Sequence, residues 1–227
     1  MAKLSIIVPT LNEAAIIEAA LARLQPLRAR GHEVIVADGG SRDGTLALCE
    51  PLADCVIAAE RGRARQMNAA AREAHGEVLL FLHADTRLPD AADSLVLEGL
   101  GGAKTAWGRF DVRIESRHPL LRATAFGMNW RSHFTAVCTG DQCVFVLREL
   151  FMRVGGFPDL DLMEDIALSK LLRRCCRPLC IRTPALTSAR RWEARGVGRT
   201  IALMWWLRLR YFLGASPADL LRVYERG

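Results

Sequence analysis

Four short apolar runs, three of them ending in polar or turn-forming residues, constrain this chain more than anything else in it. They are Leu4–Val8, Val34–Ala37, Cys55–Ala58 and Val78–Leu82. Runs of this length, rich in β-branched residues, read as strands buried on both faces. Helical spacing fills the gaps between them. Ile16, Ile17, Ala20, Leu21 and Leu24 follow Asn12, a residue suited to capping a helix, and Gly31 closes that helix. Thr45–Leu52 gives a short helix, and Ala64–His75 an alanine-rich one stopped by Gly76. Strand and helix thus alternate through residues 4–82, which predicts an α/β fold with a parallel sheet and helices on both faces. Ligands of such sheets sit beyond the carboxyl ends of the strands. Three of the predicted strands end in suitable chemistry: Pro9-Thr10 with Glu13, Asp38, and His83-Ala84-Asp85.

The second half is less regular. Thr105–Glu115, Cys143–Leu147, Pro178–Ile181 and Ala185–Ala189 read as strands; Leu120–His133, Arg148–Val154, Leu162–Arg174, Val197–Leu213 and Pro217–Tyr224 read as helices. No repeat or low-complexity tract interrupts them, and the Gly99–Gly102 cluster is the one weak boundary. A length of 227 residues, 51% hydrophobic and 25% charged, suits one folded domain or a tight pair.

Charge is unevenly placed. Residues 171–227 hold twelve arginines against three acids, net +9, whereas residues 1–170 are net −3. Arginine suits bidentate contact with phosphate. A nucleic-acid role finds no support, because the aromatics of the basic tail fall at apolar helix positions and no nucleic-acid motif is present. The first strand is followed by neither Gly-x-Gly-x-x-Gly nor a Walker A sequence, which argues against a nicotinamide or P-loop site. Seven cysteines without a preceding secretory signal indicate reduced thiols and a cytoplasmic compartment. Cys175, Cys176 and Cys180 lack a zinc spacing and read as buried thiols. No apolar stretch reaches the ~18 residues that span a bilayer.

Four constellations carry chemistry. Asp38, followed by Gly39-Gly40-Ser41-Arg42-Asp43-Gly44-Thr45, offers a carboxylate to a base or ribose, with glycines that allow close backbone approach; Asp43 reads as the cap of that turn. Arg61, Arg63 and Arg65 beside a helix start can hold a diphosphate, or form a solvated basic turn. Asp85 can bind a hard cation whose remaining ligands are phosphate oxygens. Glu164-Asp165 opens a helix, where acids favour the dipole or, functionally, supply a general base.

Taken together, Ser5-Ile6-Ile7-Val8-Pro9-Thr10-Leu11-Asn12-Glu13, the Asp38–Thr45 turn, Gly62-x-x-Arg65-x-x-Asn68, Asp85, Gly155-Gly156-Phe157 and Glu164-Asp165 resemble the inverting family 2 glycosyltransferases. Order and spacing match over residues 4–175. Gly140-Asp141-Gln142, Ser188–Trp192 and the segment from Met204 to Tyr224 resemble a bacterial subgroup named transferase 2, radical-SAM/selenodomain-associated, linked to arsenosugar biosynthesis. The resemblance implies the GT-A fold, a Rossmann-like, mainly parallel sheet flanked by helices, with C-terminal helices. It implies a domain at 1–195, divided into a nucleotide-sugar half at 1–104 and an acceptor half at 105–195, and an amphipathic segment at 196–227. Pro9, Thr10 and Glu13 would line the nucleoside pocket, and Asp38 would meet base or ribose. Arg65 would meet the diphosphate or a neighbouring carboxylate, and Asp85 would bind Mn2+ or Mg2+. Asp165 would be the base with Glu164 beside it, and Asp141, Gln142, Arg191 and Trp192 would serve acceptor and diphosphate. Two departures stand out. His83 occupies a position where the family often has Asp, and is itself a candidate metal ligand; Asp38-Gly39 stands where many relatives have two acids. The partners implied are a nucleotide-sugar donor and an acceptor. Arg199, Arg208 and Arg210, set among Trp205, Trp206 and Phe212, suit a membrane surface, at the inner face of the membrane, or a second subunit. A nucleotidyltransferase of related fold and a non-catalytic binding module are the rival readings.

Overall fold

A computed structural model describes residues 2–102 and 104–226. The first half follows the alternation. Strands β1 (Leu4–Thr10), β2 (Glu33–Asp38), β3 (Cys55–Ala58) and β4 (Val78–Phe81) pair in parallel, with Thr10 opposite Asp38 at the carboxyl rim. Alternate residues of each strand point to opposite faces. Leu4, Ile6 and Val8 therefore pack under helices α1 (Ala14–Ala22), α2 (Gln25–Ala29) and α3 (Thr45–Cys49), whereas Ile7, Ile35 and Leu79 pack under α4 (Arg63–Glu73). Where one long helix is predicted up to Gly31, the chain makes two. Pro26, which lacks an N–H, sits in the first turn of the second.

The sheet then turns mixed. β5 (Thr86–Arg87) and α5 (Ala92–Gly102) precede β6 (Trp107–Glu115), α6 (Pro119–Thr135), a 3-10 turn at Gly140–Gln142 and β7 (Phe145–Leu147). β7 runs antiparallel to both β4 and β6. After α7 (Arg148–Arg153) and α8 (Glu164–Cys175) comes β8 (Leu179–Ser188), parallel to β6 and antiparallel to β5. The strand order is β3-β2-β1-β4-β7-β6-β8-β5. The two strands predicted at 178–181 and 185–189 are one, and the register against β6 shifts between Phe110 and Asp111. Cys143, predicted to start a strand, has left-handed backbone (φ 45°), so β7 begins two residues later. The cysteines are free, and none of the three expected to be buried is so: Cys175 is exposed at the end of α8, and Cys176 and Cys180 are half-buried.

Helices α9 (Arg190–Arg195), α10 (Val197–Phe212) and α11 (Pro217–Arg226) finish the chain. Leu207 and Leu220 are buried against Leu162, Met163 and Ile166, just where α8 begins. Among the described residues no helix is long and apolar enough to cross a membrane.

Candidate active site

The loops after β1 and β2 are built on each other. Asn12 has left-handed backbone (φ 54°); its side-chain oxygen accepts from Arg42 N at 2.9 Å, and its N–H donates to Ser41 Oγ at 2.8 Å. Asn12 is therefore not the cap of α1. Thr45 Oγ1 and Asp43 Oδ2 instead accept from Glu13 N and Ala14 N, at 2.9 and 3.0 Å. Asp43 also accepts from Thr45 N at 3.1 Å, the capping role expected of it.

Asp38 lies beneath this double loop, 1% exposed. Its oxygens accept from Gly40 N and Ser41 N, and from the hydroxyls of Ser41 and Thr10. Gln66 donates to Thr10 O and Ala37 O, tying β1 to β2, and it approaches Gly39 closely enough to crowd a Cβ there (3.1 Å).

The Gly62-x-x-Arg65-x-x-Asn68 stretch reaches across to the loop before α8. Asn68 exchanges two hydrogen bonds with the Phe157 backbone, at 2.8 and 2.9 Å, and Gly156 (φ 74°) has no room for a Cβ beside it. Arg65 pairs with Asp159 at 2.8 Å and Asp161 at 3.6 Å. Of the two partners the sequence allows Arg65, the structure thus shows neighbouring carboxylates.

These elements enclose a groove of about 540 Å³ lined by Thr10, Glu13, Arg63, Arg65, Glu164 and Arg191. Arg63, Glu164, Arg191 and Tyr224 also line a second cavity of about 110 Å³, so the two adjoin along these side chains. The second cavity brings together His83, Asp85, Asp141, Asp165 and Trp192. Asp165 Oδ2 accepts from Gly140 N at 2.9 Å, and His83 Nδ1 lies 3.5 Å from Asp141 Oδ1. Arg191 donates to the Tyr224 hydroxyl, and Arg190 lies 3.9 Å from Glu13. Pro9 lines neither space. Gln142 is fully buried and turned away from the cavity, donating to Ser132 Oγ at 2.9 Å and to Asn129 Oδ1 at 3.3 Å.

Electrostatics divide the carboxyls. Burial, and then the Asp165 carboxylate, push Glu164 up to about 6. Burial and Asp85 also raise Glu13, against the pull of Arg190, Arg191 and Arg63. Burial works against the Asp141 carboxylate too, but its bond to His83, with Arg63 and Arg191, holds it below its ordinary value. The site therefore carries two carboxyls, Glu164 and Glu13, inclined to keep their protons and one, Asp141, inclined to lose it.

Arg63 and Tyr224 line both spaces. A triplet of arginines at 61, 63 and 65 marks the region in the sequence, but which of them turns inward depends on the start of α4. Arg208, grouped by sequence with residues that suit a membrane surface, instead lines the cavity.

Residues 5–151 match the family described as Glycosyl transferase family 2. The chain belongs to this family. Several solved structures share the fold. A Pyrobaculum calidifontis mannosyltransferase in complex with GDP-Man and Mn2+ is 26% identical, with a TM-score of 0.61 over 82% of this chain and 56% of that one. Staphylococcus aureus TarS 1-349 in complex with UDP-GlcNAc is 19% identical, with a TM-score of 0.68 over 82% of this chain and 58% of that one. Mycobacterium tuberculosis glucosyl-3-phosphoglycerate synthase, in complex with Mn2+, UDP and glucosyl-3-phosphoglycerate, is 19% identical, with a TM-score of 0.60 over 82% and 70%. The chain spans little more than half the length of the first two. No curated protein sequence matches it.

Among the described residues, no three His, Cys, Asp or Glu side chains converge into a metal site by themselves. Asp85 nevertheless faces the cavity beside His83. One hard carboxylate and an imidazole fit a cation whose remaining ligands come from a bound diphosphate.

Proposed function

We propose that this protein transfers a sugar from a nucleotide-diphosphate sugar to an acceptor nucleophile with inversion at the anomeric carbon. The observation that carries this reading is that the Thr10–Glu13–Arg65 groove adjoins, through Arg63, Glu164 and Arg191, the cavity lined by Asp85, Asp141 and Asp165. The nucleotide lies in the groove, with Pro9 in the strand end beneath it. Asp38 acts by shaping the Ser41 turn with its hydrogen bonds, so that backbone at 39–41 meets the base or ribose. Arg63 and Arg191 point positive charge toward the diphosphate. Asp85, with His83 beside it, would hold a divalent Mn2+ or Mg2+, which would supply further charge neutralisation on the leaving group.

Asp165, oriented by Gly140 N, accepts the proton of the acceptor. The freed nucleophile attacks the anomeric carbon opposite the departing nucleoside diphosphate. Glu164, beside it, shapes the field at that carboxylate. Asp141 and Trp192 flank the acceptor, and Gln142 braces the Gly140–Gln142 turn from behind.

The likeness of Gly140-Asp141-Gln142 and Ser188–Trp192 to the radical-SAM/selenodomain-associated subgroup supports a small bacterial metabolic transferase of that kind. In this reading the protein works in the cytoplasm. Its 1–195 domain binds donor and acceptor in two halves, and α10 in the 196–227 segment meets a membrane surface or a second copy.

Thermal-shift titration with nucleoside diphosphates and nucleotide sugars, with and without Mn2+, tests the donor site, because a ligand of the folded state raises the midpoint. Product analysis tests the reaction. Release of a nucleoside diphosphate supports it, and release of pyrophosphate from a nucleoside triphosphate overturns it.

A further inference from the structure

A second groove borders the cavity, with Asp141, Trp192, Met204 and Arg208 in the wall of both. It holds about 300 Å³ between α6 and α10, walled by apolar side chains that include Leu120, Met128, Ile201, Met204 and Trp205. Its polar residues gather where it meets the cavity: Asp141, Trp192 and Arg208 line both spaces, and Arg131 lies with them in the groove wall. Arg131 Nε and Nη2 and Arg208 Nε are buried and have no hydrogen-bond partner. A buried guanidinium with unmade hydrogen bonds is costly. The cost shows in the charges. Burial and the facing Arg208 pull Arg131 down to about 10, and burial lowers Arg208 as well. Asp165 attracts both arginines and Asp141 attracts Arg208, yet among the described residues neither arginine makes an ion pair within 4.0 Å. Two unpaired cations where an apolar groove borders the cavity fit an anionic head on an apolar chain. The open side fits the rest of such a molecule: Leu120 on α6 and Trp205 on α10 line the groove and are themselves exposed. Aromatics beside basic residues are what an interfacial surface presents.

We propose that the α6–α10 groove is the acceptor subsite for a long-chain lipid phosphate, its anionic head seated on Arg131 and Arg208 beside Asp165 and its hydrocarbon chain running along the groove to the open side. The word acceptor rests on the glycosyl-transfer reading above; the groove's chemistry stands on its own residues.

Gly127 supplies the sharpest variant. It lines the groove, and a Cβ built on it meets nothing within 4 Å. Gly127→Leu therefore fills the groove while favouring the helix that carries it. Calorimetric titration of the full chain with dodecyl phosphate, inorganic phosphate and dodecyl maltoside separates head from chain. Dodecyl phosphate is expected to bind at least tenfold more tightly than either of the others. Gly127→Leu should weaken dodecyl phosphate at least tenfold and leave inorganic phosphate unchanged, whereas Arg208→Gln should weaken both phosphates. Equal binding of dodecyl phosphate and dodecyl maltoside overturns the anion site. Equal binding of dodecyl and inorganic phosphate, or indifference to Gly127→Leu, overturns the chain site. Binding of a nucleoside diphosphate with Mn2+ is followed on the same samples. Its absence overturns the donor reading, and its presence without dodecyl phosphate binding overturns the groove assignment alone.

Discussion

At position 164 a carboxylate is buried at 4% exposure, with a second carboxylate next to it in the chain. Burial first, and Asp165 second, raise it from an ordinary 4.5 to about 6. Between those pH values the unfolded chain releases a proton that the folded chain keeps. The unfolded state then binds fewer protons, so stability falls as pH rises through the window. A shift of this size corresponds to roughly 2 kcal/mol. Glu164→Gln keeps the shape and removes the titration. Urea denaturation should find the variant more stable than the parent by about 1–2 kcal/mol at pH 7.5, with that gain gone at pH 4. A gain of equal size at both pH values would trace the cost to something other than this proton. At the neighbouring position the expectation is catalytic. Asp165→Asn keeps an oxygen for Gly140 N but cannot take a proton. Transfer should fall by about 10²- to 10⁴-fold with nucleotide affinity little changed, and a rate near the parent's would remove Asp165 as the base.

Among the elements, α4 does more than close a βαβ unit. Through Asn68 and Arg65 it grips the 155–161 loop, and that loop delivers Glu164 and Asp165 to the cavity. Phe157 adds an edge-on contact to Phe81, 4.8 Å between ring centres. Asn68→Ala removes both backbone bonds and leaves a part-buried N–H and C=O of Phe157 unmet. Chemical denaturation should show a loss of about 2 kcal/mol. Nucleotide affinity should drop with it, because Arg65 and Asp161 border the same groove. An unchanged affinity in the folded variant would separate the clamp from the site. This pairing could not be read from the chain. The Gly62–Asn68 and Gly155–Phe157 stretches were each visible as motifs, but contact between residues 89 positions apart is a tertiary fact. The same holds for Asn12 and Arg42. The sequence marks both loops, and only the fold shows that each loop satisfies the other's backbone. Strands β1, β2 and β4 were legible because each is built on an apolar run buried on both faces, and the edge strand β3, only half-buried, because its run is short, apolar and β-branched. β5 escaped notice because two residues carry no periodicity. Gln142 looked like a site residue because Gly140-Asp141-Gln142 as a whole resembles a subgroup motif, and its inward turn depends on Ser132 and Asn129 from α6.

At the scale of the whole molecule, charge and apolar surface divide differently from the sequence halves. The basic tail supplies Arg191 and Arg208 to the cavity, facing the carboxylates of the acidic first part. Its helices are also structural. Leu207 (0% exposed) and Leu220 (2%) pack on Leu162, Met163 and Ile166, and Met163 takes left-handed backbone (φ 69°) directly before Glu164. A non-glycine residue in that conformation is held by its surroundings. The α10–α11 pair therefore braces the turn that aims the candidate base, and the tail cannot be a loose appendage. Leu207→Ala removes the centre of this brace. A buried leucine truncated to alanine costs about 2–5 kcal/mol. Leu209→Ala, on the same helix but 58% exposed, should stay within about 0.5 kcal/mol of the parent. Denaturation of both variants checks the difference. Activity measured well below the unfolding transition checks the consequence: if the brace sets the Met163 turn, folded Leu207→Ala loses turnover while Leu209→Ala keeps it. Equal turnover in the two would confine α10 to stability and leave the aim of Asp165 to the Asn68 clamp alone.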